Sequence, residues 1–177
     1  MNSFKAADPV RLEIIKNSLI GICEEMGLTL ARSAYGLIFT EGRDFSCGIF
    51  DTDANLIVQG NFIPVHLAAM HFAVKMAVDE IGRENVHDGD VIMNNDPYCG
   101  GTHLPDVTLI TPVFQDGELF AFVANRAHYT DVGGMSPGSI CSDSKSIYCD
   151  GQRIPPIKIM SRGSTRDDVI NLIISNM

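Results

Sequence analysis

Apolar residues recur at spacings of three and four positions in two long stretches, and this spacing predicts two amphipathic helices. The first begins after Asp8 and Pro9, a pair that suits the first turn of a helix, and the second stops at Gly82. A third, shorter helix is predicted near the end of the chain, where Ser164 and Asp167 have the spacing of a capping box. The apolar positions of the three helices are Ile15, Leu19, Ile22, Met26 and Leu30; then Leu67, Met70, Val74, Val78 and Ile81; and finally Val169, Leu172, Ile173 and Ile174.

Strand-like segments separated by turn residues predict two antiparallel hairpins. The first joins 44–50 to 56–58, and the second joins 107–114 to 119–124. A short buried strand is predicted at 91–93, and the Gly- and Ser-rich segment 133–145 is predicted to be a surface or active-site loop. Helices mixed with hairpins indicate an α+β fold.

Composition narrows the class of protein. With 45% hydrophobic residues among 177, the chain can bury a substantial core, which excludes wholesale disorder. The net charge of −9 argues against general nucleic-acid binding. No apolar run approaches the about 20 residues that span a bilayer, and the first eight residues lack the apolar stretch of a signal peptide. We therefore expect a cytoplasmic protein that does not bind membranes.

The five cysteines are odd in number and form no Cys-x-x-Cys pair. We interpret Cys23 and Cys47 as small apolar residues, in a helix and a strand, that stay reduced. Cys99 lies in a glycine-rich loop but has no activating base beside it in the sequence, which disfavours a thiol nucleophile.

The last predicted helix is still apolar where the sequence ends at Met177. We interpret residues 1–177 as the N-terminal part of a larger domain, either truncated or naturally split.

Two copies of the spacing His-x-x-Asp flank the second hairpin. His103 and Asp106 precede its first strand, and His128 and Asp131 follow its second. If the strands pair through their turn, His103, Asp106 and His128 come to one end of the hairpin. Two imidazoles and a carboxylate without a thiolate suit Zn, Mn or Fe. The alternative is that each Asp only caps a turn or orients a His by a hydrogen bond.

Other polar positions give weaker signals. His66 precedes the second long helix. The pattern favours a position in the core or at the cap of that helix, and the alternative is that His66 faces the site. Gly100 and Gly101 permit close backbone approach to a ligand. They match neither a P-loop nor a dinucleotide fingerprint, so no ATP site is predicted in this chain.

Taken together, these segments resemble the hydantoinase B family. That family comprises the B-type subunits or domains of ATP-dependent hydantoinases, 5-oxoprolinases and caprolactamase, and more distantly those of acetone and acetophenone carboxylases. The most specific stretch is Asn-Asp-Pro-Tyr-Cys-Gly-Gly-Thr-His-Leu-Pro-Asp at 95–106. The other matching stretches are 41–47, 64–67, 89–91, 124–128, 131–134, 137–139 and 154–156. One departure is Cys-Asp-Gly-Gln at 149–152, where the family more often has a Glu-Gly-Leu-like run.

The resemblance implies a division of labour and a set of site residues. An A-type partner subunit binds ATP with Mg and phosphorylates the carbonyl oxygen of a small-molecule substrate, and the B-type subunit holds one divalent metal and completes the reaction. The implied metal ligands are Asp44, His103, Asp106 and His128, of which Asp44 comes from the resemblance alone. Asp131 is predicted to act in catalysis, as a base or, the favoured alternative, by orienting His128. The predicted substrate-binding residues are Asn95, Gly100 and Gly101.

The sequence of the 95–106 stretch is more similar to the hydantoinase and oxoprolinase branch than to acetone carboxylase. We therefore expect ATP-dependent hydrolysis of a lactam or hydantoin-like ring, in a hetero-oligomer with the A-type subunit. Carboxylation of a ketone is the alternative reaction. An alternative of another class is a non-catalytic assembly module whose metal only ties loops together.

Overall fold

A computed structural model of the chain describes residues 8–139 and 141–177, apart from the side chains of Pro64, Val65, Leu67 and Ser139. The first seven residues, which fall in the stretch predicted to lack a signal peptide, and position 140 of the 133–145 loop therefore lie outside the described residues. The described elements, in chain order, are α1 (Pro9–Ser33), α2 (Leu37–Thr40), β1 (Phe45–Phe50), β2 (Leu56–Gln59), α3 (Pro64–Ile81), β3 (Val91–Asn94), β4 (Asp106–Gln115), β5 (Glu118–His128), α4 (Ile147–Asp150), β6 (Ile157–Ser161), β7 (Ser164–Thr165) and α5 (Asp167–Ile174). Short 3₁₀ turns lie at Arg83–Asn85, Pro97–Cys99 and Pro137–Ser139.

The seven described strands form one sheet in the order β2-β1-β5-β4-β3-β6-β7. Every neighbouring pair is antiparallel, and the long β4–β5 hairpin lies at the centre. Both predicted hairpins and the strand at 91–93 are present. The α+β prediction is therefore confirmed.

Helix α3 covers one face of this sheet. Strand side chains alternate between faces, and the register places Phe50, Phe122 and Ile110 on the same face. These side chains pack with Met70 and Val74 of α3 in a fully buried apolar cluster. The helical spacing in 67–81 is thus confirmed for the positions whose side chains are described, while the side chain of Leu67 lies outside them.

Helices α1 and α5 lie on the opposite face, over different strands. In α1 the buried residues are Cys23 and Gly27, not the predicted stripe, of which Ile15 and Ile22 are exposed. The reason is close approach, because a Cβ added at Gly27 would lie 2.8 Å from the ring of Phe45. The helix therefore makes its closest contacts through its smallest residues. Leu19 and Met26 of the predicted stripe pack beside them, so the stripe prediction is confirmed at these two positions and wrong for Ile15 and Ile22.

The two buried cysteines behave as predicted. Cys23 and Cys47 pack in one apolar cluster between α1 and the sheet. Burial raises the pKa of Cys23 to about 11 and that of Cys47 to about 12, so both thiols stay neutral. Both are free in the structure.

The predicted capping box at Ser164 is wrong. Ser164 and Thr165 form β7, which pairs with Met160 and Ser161 around a tight turn. Helix α5 then begins at Asp167, where Arg166 occupies the cap position without a side-chain cap hydrogen bond. The segment that the local spacing predicted as the helix start is therefore part of the sheet.

In the described part of the chain, none of the helices combines the length and apolar character needed to cross a membrane.

Candidate metal site at the end of the central hairpin

The register of the central hairpin places Asp106 directly opposite His128. Asp106 is the first residue of β4, His128 is the last residue of β5, and their Cα atoms are paired. By strand alternation both side chains lie on the face that α3 covers. The sheet pairing thus brings together two residues that are 22 positions apart in the chain.

The loop before β4 brings His103 to the same point. A turn closed by the Asp106 N–H donating to the carbonyl of His103 (3.0 Å) folds the loop back on the strand. Nε2 of His103 then lies 2.8 Å from Oδ1 of Asp106 and 3.2 Å from Nδ1 of His128, which is itself 3.2 Å from that Oδ1. One potential ligand atom from each of the three residues lies within 4.8 Å of the other two.

Asp106 is the electrostatic centre of this cluster. It is only 3% exposed. Burial opposes ionisation, but hydrogen bonds from His103 and from the Thr102 hydroxyl hold the pKa of Asp106 far below its usual range. The same hydrogen bond to Asp106 raises the pKa of His103. Asp106 therefore stays a carboxylate, which is the form that binds cations.

His66 enters the site from α3, although the sequence pattern favoured a core or cap position. It lies in the first turn of the helix and is 3% exposed. Its Nε2 lies 3.5 Å from Oδ1 of Asp44 and 3.5 Å from Oδ2 of Asp106. Burial lowers the pKa of His66, and the two carboxylates partly offset this. A polar residue opening an otherwise apolar helix was the signal available in the sequence.

Asp44 reaches the same cavity but stands outside the three-residue cluster. Its backbone carbonyl accepts a hydrogen bond from the N–H of His128 (3.0 Å), which fixes the start of β1 beside the end of β5. Its carboxylate is about one-third exposed and faces His66. The structure thus brings Asp44 to the site, and its ligation of a metal stays a prediction.

An open cavity of about 740 Å³ lies over these side chains. Its volume is large enough for a small cyclic substrate. It is lined by Ile38, Gly42, Asp44, Ile63, His66, Thr102, His103, Asp106 and His128.

A buried arginine supports the loop that carries His103. Arg126 is fully buried on β5, on the same face as His128. Its Nε donates to Oγ1 of Thr108 (2.8 Å) and its Nη2 donates to the carbonyl of Gly100 (3.1 Å). Burial lowers the pKa of Arg126 to about 10, partly countered by Asp106, so it remains a cation near that carboxylate. Sequence reasoning gave this residue no role.

The three predicted substrate-binding residues are used within the protein instead. The side-chain amide of Asn95 donates to the carbonyls of Leu104 (2.8 Å) and Gln152 (3.0 Å) and accepts from the N–H of Ile154 (2.7 Å). Both of its amide hydrogens are therefore occupied, and Asn95 acts as a buried cross-link between loops.

The glycines provide close packing. Gly100 has φ +80°, and a Cβ there would lie 2.6 Å from the backbone of Ala73 in α3. A Cβ at Gly101 would lie 2.7 Å from the carbonyl oxygen of Asp96. The close approach predicted at these glycines thus occurs with protein backbone, and their contact with a substrate stays a prediction.

Asp131 points elsewhere. It is exposed, and its Oδ1 accepts a hydrogen bond from the N–H of Gly133 (2.8 Å). Among the described residues it makes no hydrogen bond to His128 and does not line the cavity. The structure supports the alternative in which this aspartate caps a turn, and gives the predicted catalytic role no support.

The donor set fits a divalent transition metal. Zinc binds imidazole nitrogen and carboxylate oxygen at about 2.0–2.2 Å in a tetrahedron, which separates neighbouring donors by about 3.3 Å. The observed donor separations of 2.8–3.2 Å are close to that value. Nitrogen and oxygen donors without thiolate also suit Mn or Fe.

Fold and site together define a class: an antiparallel α+β domain with a two-histidine, one-carboxylate cluster under an open cavity. The sequence matches the Hydantoinase B/oxoprolinase family over residues 8–177. This chain belongs to that family.

Two curated relatives illustrate the kinship. The chain is 42% identical over 164 residues to 5-oxoprolinase 1 of Arabidopsis thaliana, a match that covers 93% of this chain and 13% of that protein. It is 39% identical over 170 residues to caprolactamase subunit beta of Pseudomonas jessenii, covering 96% of this chain and 29% of that one. The chain therefore spans less than a third of the length of these relatives.

Two solved structures share the fold. ATP-dependent caprolactamase from Pseudomonas jessenii superposes with a TM-score of 0.85 at 37% identity, over 97% of this chain and 30% of that one. Acetone carboxylase gives a TM-score of 0.87 at 23% identity, over 94% and 22%. The second similarity is one of fold alone.

Proposed function

We propose that this chain carries the metal centre of the B-type subunit of an ATP-dependent cyclic amide hydrolase. The substrate class is a lactam or hydantoin-like ring, and an A-type partner subunit binds ATP with Mg and phosphorylates the ring carbonyl oxygen. The proposed metal ligands are His103, Asp106, His128 and Asp44. The observation that carries the proposal is the convergence of two imidazole nitrogens and the Asp106 carboxylate within 4.8 Å, in a member of this family.

The named relatives favour this reaction class. 5-Oxoproline and caprolactam are both cyclic amides, and the proteins named for them are about 40% identical to this chain. The name of the second, a subunit beta, supports a partner subunit, and the related crystal structure is described as ATP-dependent.

The chemistry follows from the weakness of a ring amide as an electrophile. Phosphorylation of its oxygen by the partner creates a leaving group, and water must then attack the activated carbon. When bound, the divalent cation supplies Lewis acidity and lowers the pKa of water toward neutrality. His103 is half exposed to the cavity, so this side of the cluster faces the space that a substrate would enter.

The protein side chains have separate tasks in this scheme. His128 and His103 present ring nitrogens on the side of Oδ1 of Asp106. The Thr102 hydroxyl engages the other oxygen, Oδ2, and thereby fixes the rotation of the carboxylate. The buried Arg126 holds the loop that carries His103 by bonding the carbonyl of Gly100.

The alternatives find less support. The likeness to acetone carboxylase is at 23% identity and concerns the fold, so it does not favour ketone carboxylation. A purely structural metal is usually enclosed by protein ligands, whereas this cluster opens into a cavity of about 740 Å³. We therefore favour catalysis over a non-catalytic assembly role.

The test is an assay of the chain coexpressed and purified with its A-type partner. With ATP, the complex should open at least one ring in a panel of lactams and hydantoins, and ketones with bicarbonate should remain unchanged. His103→Ala and His128→Ala should abolish both ring opening and bound metal, measured by elemental analysis. His71→Ala is the matched control and should retain both, because His71 lies in α3, bonds the carbonyl of Ala54 and does not line the cavity. A complex that carries metal but opens no ring would overturn the reaction and leave the metal site standing.

A further inference from the structure

The position of His66 in the site carries an inference beyond the ligand set. Its Nε2 is equidistant, at 3.5 Å, from one oxygen of Asp44 and one oxygen of Asp106. Asp44 immediately precedes β1, Asp106 is the first residue of β4, and His66 lies in the first turn of α3. The imidazole therefore links three separate elements at one point.

The tautomer of His66 follows from its partners. Nδ1 is buried and has no hydrogen-bond partner among the described residues. A proton on Nδ1 would be buried without an acceptor, which is costly, whereas a proton on Nε2 faces two carboxylate oxygens. The neutral ring thus presents an N–H to Asp44 and Asp106.

This N–H acts on the orientation of Asp106. Oδ2 of Asp106 accepts a hydrogen bond from the Thr102 hydroxyl and faces His66, while Oδ1 faces His103 and His128. With Oδ2 occupied by donors, Oδ1 is left directed at the two ring nitrogens that share the candidate cation. A donor between Asp44 and Asp106 also offsets the repulsion of two nearby carboxylates.

We propose that His66 is a positioning residue of the metal site, which bridges Asp44 and Asp106 through Nε2–H and aims Oδ1 of Asp106 at the cation. This inference rests on the metal centre of the proposed function. In this proposal His66 is not itself a ligand, because its Nε2 carries the proton that faces the two carboxylates and its Nδ1 is buried.

The experiment compares variants that separate bridging, ligation and packing. Gln places an amide N–H near the position of Nε2, whereas Asn places it near Nδ1 and Leu has none. His71→Leu removes an imidazole from the same helix away from the cavity and is the matched control. Each 177-residue protein is titrated with Zn²⁺ alone by calorimetry, after folding is checked by circular dichroism.

We expect His66→Leu and His66→Asn to weaken zinc binding by about 10- to 100-fold, the usual effect of losing a residue that orients ligands. His66→Gln should restore the affinity to near that of the unmodified chain, and His71→Leu should leave it unchanged. If His66→Leu does not fold, His66→Asn, which keeps a polar side chain, carries the comparison with His66→Gln.

Three results would overturn the inference in different ways. Equal affinity in His66→Asn and the unmodified chain means that the imidazole only packs. Loss of binding in His66→Gln as large as in His66→Asn means that the ring nitrogen itself is needed, as for a ligand. Absence of zinc binding in the unmodified chain removes the proposed metal centre, and the bridging role with it.

Discussion

The two His-x-x-Asp motifs have the same spacing and opposite outcomes. In the first, both His103 and Asp106 enter the candidate site, 2.8 Å apart. In the second, only His128 does, and Asp131 turns outward to bond the N–H of Gly133. Spacing alone therefore does not make a metal-ligand pair.

The difference comes from where each motif meets the β4–β5 ladder. The paired residues Asp106 and His128 mark the end of that ladder, so one motif supplies its aspartate and the other its histidine. Beyond the ladder, a turn folds His103 back onto Asp106, whereas after His128 the carboxylate of Asp131 caps the turn at Gly133. The strand end and the following turn decide which side chains converge.

The largest expected contrast is between the two aspartates. Asp106→Asn should weaken Zn²⁺ binding by more than about 100-fold, because removing a charged ligand should exceed the 10- to 100-fold effect of losing an orienting residue. Asp131→Asn should leave zinc affinity unchanged, since its carboxylate only caps a turn. Isothermal titration of both proteins measures the contrast. Equal losses in the two variants would place Asp131 in the site and contradict the structure.

An effect on stability rather than on metal binding should follow from loosening the loop of the first motif. Asn95→Ala leaves the buried carbonyl of Leu104 and the N–H of Ile154 without their partner, which should lower the free energy of unfolding by at least about 3 kcal/mol. The matched control is Asn61→Ala, an exposed position where we expect at most about 0.5 kcal/mol. Urea unfolding provides the measurement. Equal stability of the two variants would show that the Asn95 cross-link is not what holds this loop.

The smallest effect isolates the contact between this loop and α3. Gly100 and Gly117 both have positive φ, but only at Gly100 does an added Cβ meet neighbouring backbone. Gly117→Ala should cost about 1 kcal/mol from backbone strain. Gly100→Ala should cost roughly 1–3 kcal/mol more, because the loop must move off Ala73. Thermal unfolding of the pair measures the difference, and equal costs would mean that the loop does not rest on α3.

Much of the fold was predictable because its signals are local. The hairpins were indicated by alternating apolar residues and by turn residues. Helix α3 was indicated by its apolar spacing, since the helix buries one side against the sheet. For α1 the prediction of the helix is confirmed, but its stripe was only partly right, because Cys23 and Gly27 are the fully buried positions while Ile15 and Ile22 are exposed. The prediction also missed β6 and β7, because such short strands are defined by their pairing partners rather than by their own sequence.

Part of the candidate site was likewise predictable from the sequence, and part was not. The meeting of His103, Asp106 and His128 was predictable because it needs only one strand register and a short turn before β4. The contribution of His66 was not, since it depends on how α3 crosses the sheet. The scaffold contacts of Asn95 and Gly100 were not predictable for the same reason, as their partners lie in distant loops or on the helix.

By itself, the sequence determined the α+β class, the family, the central hairpin and the three residues gathered at its end, because each of these depends on neighbours in the chain or on one strand register. Only the tertiary structure decided that His66 and Asp44 share the cavity, that Asp131 does not, and that Asn95 and Gly100 serve the scaffold. Those outcomes depend on contacts between elements far apart in sequence, where packing and hydrogen-bond satisfaction select one arrangement among many that local patterns allow.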